Sequence, residues 1–200
     1  TLLLSSFLRS FKNKSLHPIQ SKEYGKTNIK VIQIPLDSTS YMYDTPSISI
    51  DNSLLSFLNI DLIKNVYPDS RIKIRRTTLT KNESLFLAGL AKIELIEGEK
   101  TPISLSFSSK LKIDKKLKKK NEKTDYFFYA IEKGILQPSL NGYNGPSSFD
   151  CFDLEVNEEG VRDIGIEGLG FITFEGKGQT FRIYVPKGVA LYQTRTKLIK

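Results

Sequence analysis

Apolar residues recur along this chain with two different periods, and the alternating stretches outnumber the helical ones. Two short runs, residues 31–36 and 41–43, flank Ser38-Thr39-Ser40 and predict a strand pair with a tight connection, the second strand closing abruptly on Asp44-Thr45-Pro46. Residues 48–68 place Leu54, Leu55, Leu58, Leu62, Ile63 and Val66 on one broad face, which predicts a helix capped by Asp51 or Asn52 and closed by Pro68. A domain boundary is expected there, with residues 1–68 before it and residues 69–200 after it. Residues 71–76 alternate strictly, so a strand would show Arg71, Lys73 and Arg75 on one face and bury Ile72 and Ile74 on the other. Residues 83–96 read as strands that bend at Gly89 and turn at Gly98, and residues 103–107 and 149–156 alternate again. One amphipathic helix is expected over residues 123–137, ending near Gly134, with Tyr126, Phe127 and Tyr129 in the core rather than stacking on bases. From Ile164 onward the alternation is interrupted only by Gly168, Gly176, Gly178 and Gly188, the pattern of a β-meander.

Composition narrows the classes. With 39% hydrophobic residues in 200 the chain can bury a core, and its apolar stretches fall far short of the roughly 18–20 residues of a membrane span, so a soluble protein with no membrane partner is expected. Cys151 is the single cysteine, which excludes an internal disulfide and a zinc ribbon within this chain, and the single histidine, His17, lies in a polar stretch before Pro18, which disfavours a Ser-His-Asp hydrolase. A small buried apolar role is expected for Cys151. Thirty basic against 22 acidic residues give +8 and a pI near 9.4, which suggests a polyanionic partner or merely a lysine-rich, AT-biased genome. Eight lysines fall in residues 110–123, with Lys115, Lys116, Lys118, Lys119 and Lys120 at the centre. Such a run is either a solvated loop or helix face, or a nonspecific clamp on RNA phosphates. Arg71, Lys73 and Arg75 on one sheet face could grip phosphates as well, or merely guard a sheet surface. Acidic residues at 150–159 show that the basic surface does not wrap the whole domain.

An acidic residue at the carboxyl end of a strand stands where open α/β sheets bind ligands and where a carboxylate can hold a metal through water. Asp44-Thr45-Pro46-Ser47 also reads as a D-x-x-G loop in which serine replaces the glycine that lets backbone N–H groups approach a γ-phosphate. The other reading is that Asp44 only caps the segment that follows.

The phrase "IPLDSTSYMYDTPSI", preceded by Thr27 in "YGKTNIKV", resembles the corresponding part of the YqeH family of circularly permuted GTPases. "FLAGLAKIE" is similar to that family's F-x-G-G-L-x-R-I-D, with Ala88 in place of the first glycine. "RDIGIEGLGFITFEG" and then "FRIYVPKGVALYQTRTKLI" resemble its ending D-I-x-x-x-G-L-G-W, P-K-G-V and R-x-x-L-I, with Phe171 in place of tryptophan. The resemblance implies a ribosome-assembly GTPase of the small subunit, a partner in rRNA or the subunit precursor without DNA specificity, and GTP or GDP with Mg²⁺ as cofactors. It implies that Thr27 is the switch threonine, that Asp44 holds magnesium, and that Thr45, Pro46 and Ser47 lie on the nucleotide. The expected fold is α+β or α/β, the trailing half of a permuted P-loop GTPase domain followed by a β-rich domain similar to RNA-binding attenuation-protein modules. Lys187 and Arg195 fall on matched motif positions and become RNA-contact candidates; an ordinary turn is the alternative for Pro186-Lys187-Gly188.

Residues 1–22 contain Arg9, Lys12, Lys14 and Lys22 with no acid. They read either as an organelle transit peptide or, under the resemblance, as the helix that follows a phosphate-binding loop, with Thr1 at or beside its [ST] position. The chain contains no G-x-x-x-x-G-K-[ST] and no N-K-x-D. In a permuted GTPase both precede Thr1, so their absence here is expected, and isolated GTP binding is not. Localisation follows as bacterial cytoplasm or, alternatively, an organelle matrix. Two other functions remain open, a catalytically silent RNA- or ribosome-binding piece and a small all-β interaction module.

Overall fold

The computed structural model describes residues 32–35, 38–44, 52–68, 72–81, 83–117 and 125–195, and its contacts divide the chain into two units, Thr1–Ile48 and Ser49–Lys200. In the first unit β1 (Ile32–Pro35) and β2 (Tyr41–Asp44) form an antiparallel hairpin in which Ile32 faces Asp44 and Pro35 faces Tyr41. The strand pair expected around Ser38-Thr39-Ser40 is present. Nothing described shows a GTPase half beyond this hairpin.

The second unit is built of two five-stranded antiparallel sheets. Its strands are β3 (Arg75–Leu79), β4 (Glu83–Leu87), β5 (Ala91–Glu97), β6 (Thr101–Phe107), β7 (Ile113–Leu117), β8 (Phe149–Glu155), β9 (Gly160–Ile166), β10 (Gly170–Gly176), β11 (Thr180–Pro186) and β12 (Leu191–Arg195). The first sheet runs β12-β9-β10-β6-β3 and the second β7-β4-β5-β11-β8. Inward-facing residues such as Ile164, Ile172, Ile103 and Leu105 of the first sheet and Leu85, Ile93, Phe181 and Ile183 of the second fuse into one core, while β4 and β5 are buried on both faces over most of their length. Burying each such side chain stabilises the fold by about 1.5–3 kcal/mol before entropy is counted.

The end of the chain is not a meander. β9 and β10 pair, but β11 crosses to the second sheet, between β5 and β8, and β12 crosses back to pair with β9. An alternating strand presents one apolar face whichever partner it finds, so the period cannot choose the partner.

Residues 48–68 do not form one helix. A 3-10 turn, Leu54–Phe57, capped by Ser53, precedes α1 (Ile60–Val66), whose cap Asn59 accepts from the Leu62 N–H at 2.9 Å. Neither Asp51 nor Asn52 is the cap. Leu54, Leu58 and Val66 are buried in the core of the β unit, so this segment packs with Ser49–Lys200 rather than closing a domain at residue 68.

The expected helix is present and shorter, α2 (Tyr126–Glu132), capped by Asp125. It covers the outer face of the second sheet. Phe127 is fully buried against Phe86 and Phe149, with ring centroids 5.5 Å away in both cases, while Tyr129 is exposed. Among the described residues no helix is long and apolar enough to cross a membrane.

Candidate functional site

Asp44 is the last residue of β2, at the carboxyl end of the strand as the sequence suggests. Thr1, Thr27, Thr45, Pro46, Ser47, Arg71, Lys118, Lys119 and Lys120 lie outside the described residues.

The cations of residues 71–76 are not presented together. The strand starts only at Arg75, and Ile72 and Ile74, expected inside, are exposed. Arg75 turns back on its own unit and donates to the carbonyls of Leu111 at 3.3 Å and Ser108 at 3.4 Å, while Lys73 is exposed. Desolvation lowers the Arg75 pKa from its ordinary value. Half-buried, the guanidinium exchanges part of its water for the carbonyls of a neighbouring turn, while its Nε has no partner.

The described part of the lysine run is a turn at residues 110–112 followed by the edge strand β7. Lysines on an edge discourage further strand pairing. Lys115 pairs with Glu83 at 2.8 Å and donates to the Thr78 carbonyl at 3.2 Å, and Lys116 stands over the Tyr126 ring, 2.9 Å from its centroid. Lys187 is exposed in the turn between β11 and β12, and Arg195, at the far end of β12, is 2.9 Å from Glu158. The two motif cations stand on different elements, one in the turn before β12 and the other at its end, where it is engaged by Glu158.

The family-like phrases instead build a seat. Gly168 has φ +78°, and a Cβ there would collide with Ser53 Oγ. The Leu54 N–H donates to the Glu167 carbonyl at 2.8 Å, and the Ala190 N–H donates to the Asn52 carbonyl at 2.9 Å. Gly188, in the second phrase, donates its N–H to Asp150 at 3.0 Å. Residues 52–54 are thereby held between the turn at Glu167-Gly168 and Ala190, which follows the Lys187-Gly188 turn in the second phrase.

"FLAGLAKIE" supplies a buried ionic cluster that the sequence reading missed. Lys92, on β5, is 1% exposed, lies 3.4 Å from Glu94, pairs with Asp125 at the α2 cap and stands 4.0 Å from the centre of the Tyr184 ring. Ser84 donates to Glu94 at 2.8 Å. The signal was a lysine inside an apolar alternating run at the position where the family phrase has arginine. Cys151, expected to be buried, is exposed on β8. The carboxylates of residues 150–159 are drawn to arginines: Asp153 forms two 2.7 Å contacts with Arg182, which hold its carboxyl below the ordinary aspartate value, and Glu158 meets Arg162 and Arg195.

No protein-family model matches the chain. Among curated proteins it is similar to the uncharacterized protein YqeH of Bacillus subtilis (strain 168), with 27% identity over 183 residues that cover 89% of this chain and 48% of the relative. The chain is thus a YqeH-type relative and spans about half the length of the curated protein it matches.

Proposed function

We propose that this chain is the switch-bearing and RNA-facing part of a GTPase that assists assembly of the small ribosomal subunit, with rRNA or the subunit precursor as partner. The observation that carries this reading is the seat. Asp44, in the D-x-x-G-like position, is only eight residues from Asn52, whose carbonyl is tied to Ala190 in the second phrase. A change of backbone at residues 44–47 on nucleotide hydrolysis would pull on a segment anchored to the β unit, which gives nucleotide state a short mechanical path toward RNA affinity.

Asp44 at the carboxyl end of β2 suits a carboxylate that orders a magnesium-bound water, with Thr27 completing the coordination and Thr45 to Ser47 lying along the phosphate. Magnesium with GTP would supply charge neutralisation at the transferring phosphoryl group. The β unit would meet RNA through cations of the lysine run and the motif turns, Lys187 among them. Because the chain contains neither G-x-x-x-x-G-K-[ST] nor N-K-x-D, a second reading applies to this stretch taken alone, an RNA- or ribosome-binding piece that does not hydrolyse GTP.

The test uses a longer chain that carries the phosphate-binding loop. Asp44→Ala should abolish magnesium-dependent GTP turnover while leaving the circular dichroism spectrum and melting temperature of the β unit unchanged. Turnover equal to that of the parent would refute the assignment of Asp44. The 200-residue chain by itself should show no micromolar GTP binding by calorimetry, since most triphosphate contacts come from that loop.

A further inference from the structure

Within the second unit, no described helix packs on the outer face of the first sheet. Strand register places Tyr192, Gly165, Phe171 and Ser106 in one row across it, with Thr194, Asp163, Thr173, Ser104 and Arg76 in the next. Nearly all of these side chains are short, so the two aromatic residues stand above their surroundings. Tyr192 is 40% exposed, and its ring crosses Gly165 so closely that a Cβ there would fall inside the ring. The absence of a side chain at Gly165 lets the Tyr192 ring lie along the sheet with its other face toward solvent. Phe171, directly opposite Gly165 on the next strand, is partly exposed. The backbones of the two residues are two inter-strand steps apart, about 10 Å, and the Tyr192 ring leans over Gly165 toward Phe171. Arg76 is exposed at one margin and Lys73 shortly before it, while Asp163 lies one row over on β9, the strand between the two that carry the aromatics, accepting from Thr173 Oγ1 at 2.6 Å.

We infer that this open face is a stacking platform for single-stranded RNA, on which Tyr192 and Phe171 each receive a base and Arg76 meets the backbone. Bases stack on flat aromatic rings whatever their identity, a mode that duplex RNA cannot use because its bases are already stacked. A cation at the margin and a carboxylate among the rings suit this ligand. Phosphates run along the outside, and the second Asp163 oxygen can accept from an exocyclic base amine. Desolvation first, then Glu167 and Asp163, raise the Tyr192 pKa, which keeps its hydroxyl a donor. The platform rests on the RNA reading proposed above and adds where and by what chemistry the strand is held.

The chain has no tryptophan, so Phe171→Trp, the residue at this place in the family phrase, creates a single fluorescent reporter on the platform. A mixed-sequence single-stranded RNA 12-mer should quench it, whereas the same sequence as a duplex and inorganic polyphosphate should not. Tyr192→Leu, which still covers Gly165, should weaken binding of that 12-mer about tenfold, and Tyr192→Phe should restore it. If labelled 12-mer binds by anisotropy but the tryptophan is unquenched and Tyr192→Leu binds as well as the parent, the platform is wrong and the RNA reading stands. Equal quenching by duplex or polyphosphate overturns stacking as well. If no RNA binds at low salt, the RNA reading falls and takes the platform with it.

Discussion

The second sheet carries α2 on its outer face and beneath it a lysine that is 1% exposed, whereas the first sheet presents short polar side chains and two aromatic residues directly to solvent. Both sheets bury the same kind of alternating apolar residue on the inside, so the difference lies entirely in what each does with its other face. The covered face had to provide partners for the charged groups it enclosed. Lys92 received Glu94, Asp125 and the Tyr184 ring, and Glu94 also received Ser84. The open face was under no such demand, since water satisfies Thr194 and Arg76. A covered face is therefore constrained by stability, and an open one is free to be shaped by a ligand.

That contrast can be broken by paired substitutions. Lys92→Met leaves Glu94 without its cation in a nearly dry site and should cost about 3–5 kcal/mol in urea denaturation, whereas Thr194→Ala on the open face should stay within about 0.5 kcal/mol. Equal costs would show that the two faces are not constrained differently.

The turns sharpen the same contrast. The first sheet uses glycine at the left-handed position Gly168, while the β4–β5 turn of the second holds Ala88 at φ +52°, where the family phrase has glycine. Left-handed backbone costs an L-residue about 1–2 kcal/mol, partly offset by the extra freedom glycine has when unfolded. Ala88→Gly should thus raise stability by about 0.5–1 kcal/mol in the same assay; a loss would mean that the Ala88 methyl, fully buried, contributes more by packing than its backbone costs.

The smallest effect is expected at the edge of the second sheet. The hydrogen bond from Lys115 holds the Glu83 carboxyl below its ordinary value near 4.5. A carboxylate with a depressed folded pKa contributes stability that is fully present above its unfolded pKa and lost as pH falls through the folded one. Glu83→Gln should therefore lower the melting temperature slightly at pH 7 and make the decline between pH 5 and pH 3 shallower. Lys115 is 34% exposed, so water screens most of this pair. An unchanged acid limb would assign the decline to Asp153 and Glu158, whose carboxyls are also held low by arginines.

Some of this was legible from residues alone. The hairpin around Ser38-Thr39-Ser40, most strands of the β unit and the helix after Lys123 follow from local periodicity and turn residues, with shifted ends, whereas β7 was hidden in the lysine run. The candidate nucleotide residues were legible only as a phrase: Asp44 does end its strand, but its loop neighbours lie outside the described residues. The cationic face of residues 71–76 failed because periodicity does not reveal that the Leu111 and Ser108 carbonyls would recruit Arg75. The family-like glycines were read as turns, which they are, without any sign that Gly168 makes room for Ser53 more than a hundred residues earlier.

The sequence by itself determined where most strands run, where the chain turns and that the β unit is basic, because these depend on composition and on neighbours a few positions away, whereas Ile72, Ile74, Tyr129 and Cys151, expected inside, are exposed. Only the tertiary structure decided that β11 leaves its sequence neighbours for β5 and β8, that residues 52–68 join the β unit, and which sheet face α2 covers. An alternating strand can pair with any other, and a choice among partners far apart in the chain is made by the packing of the whole core.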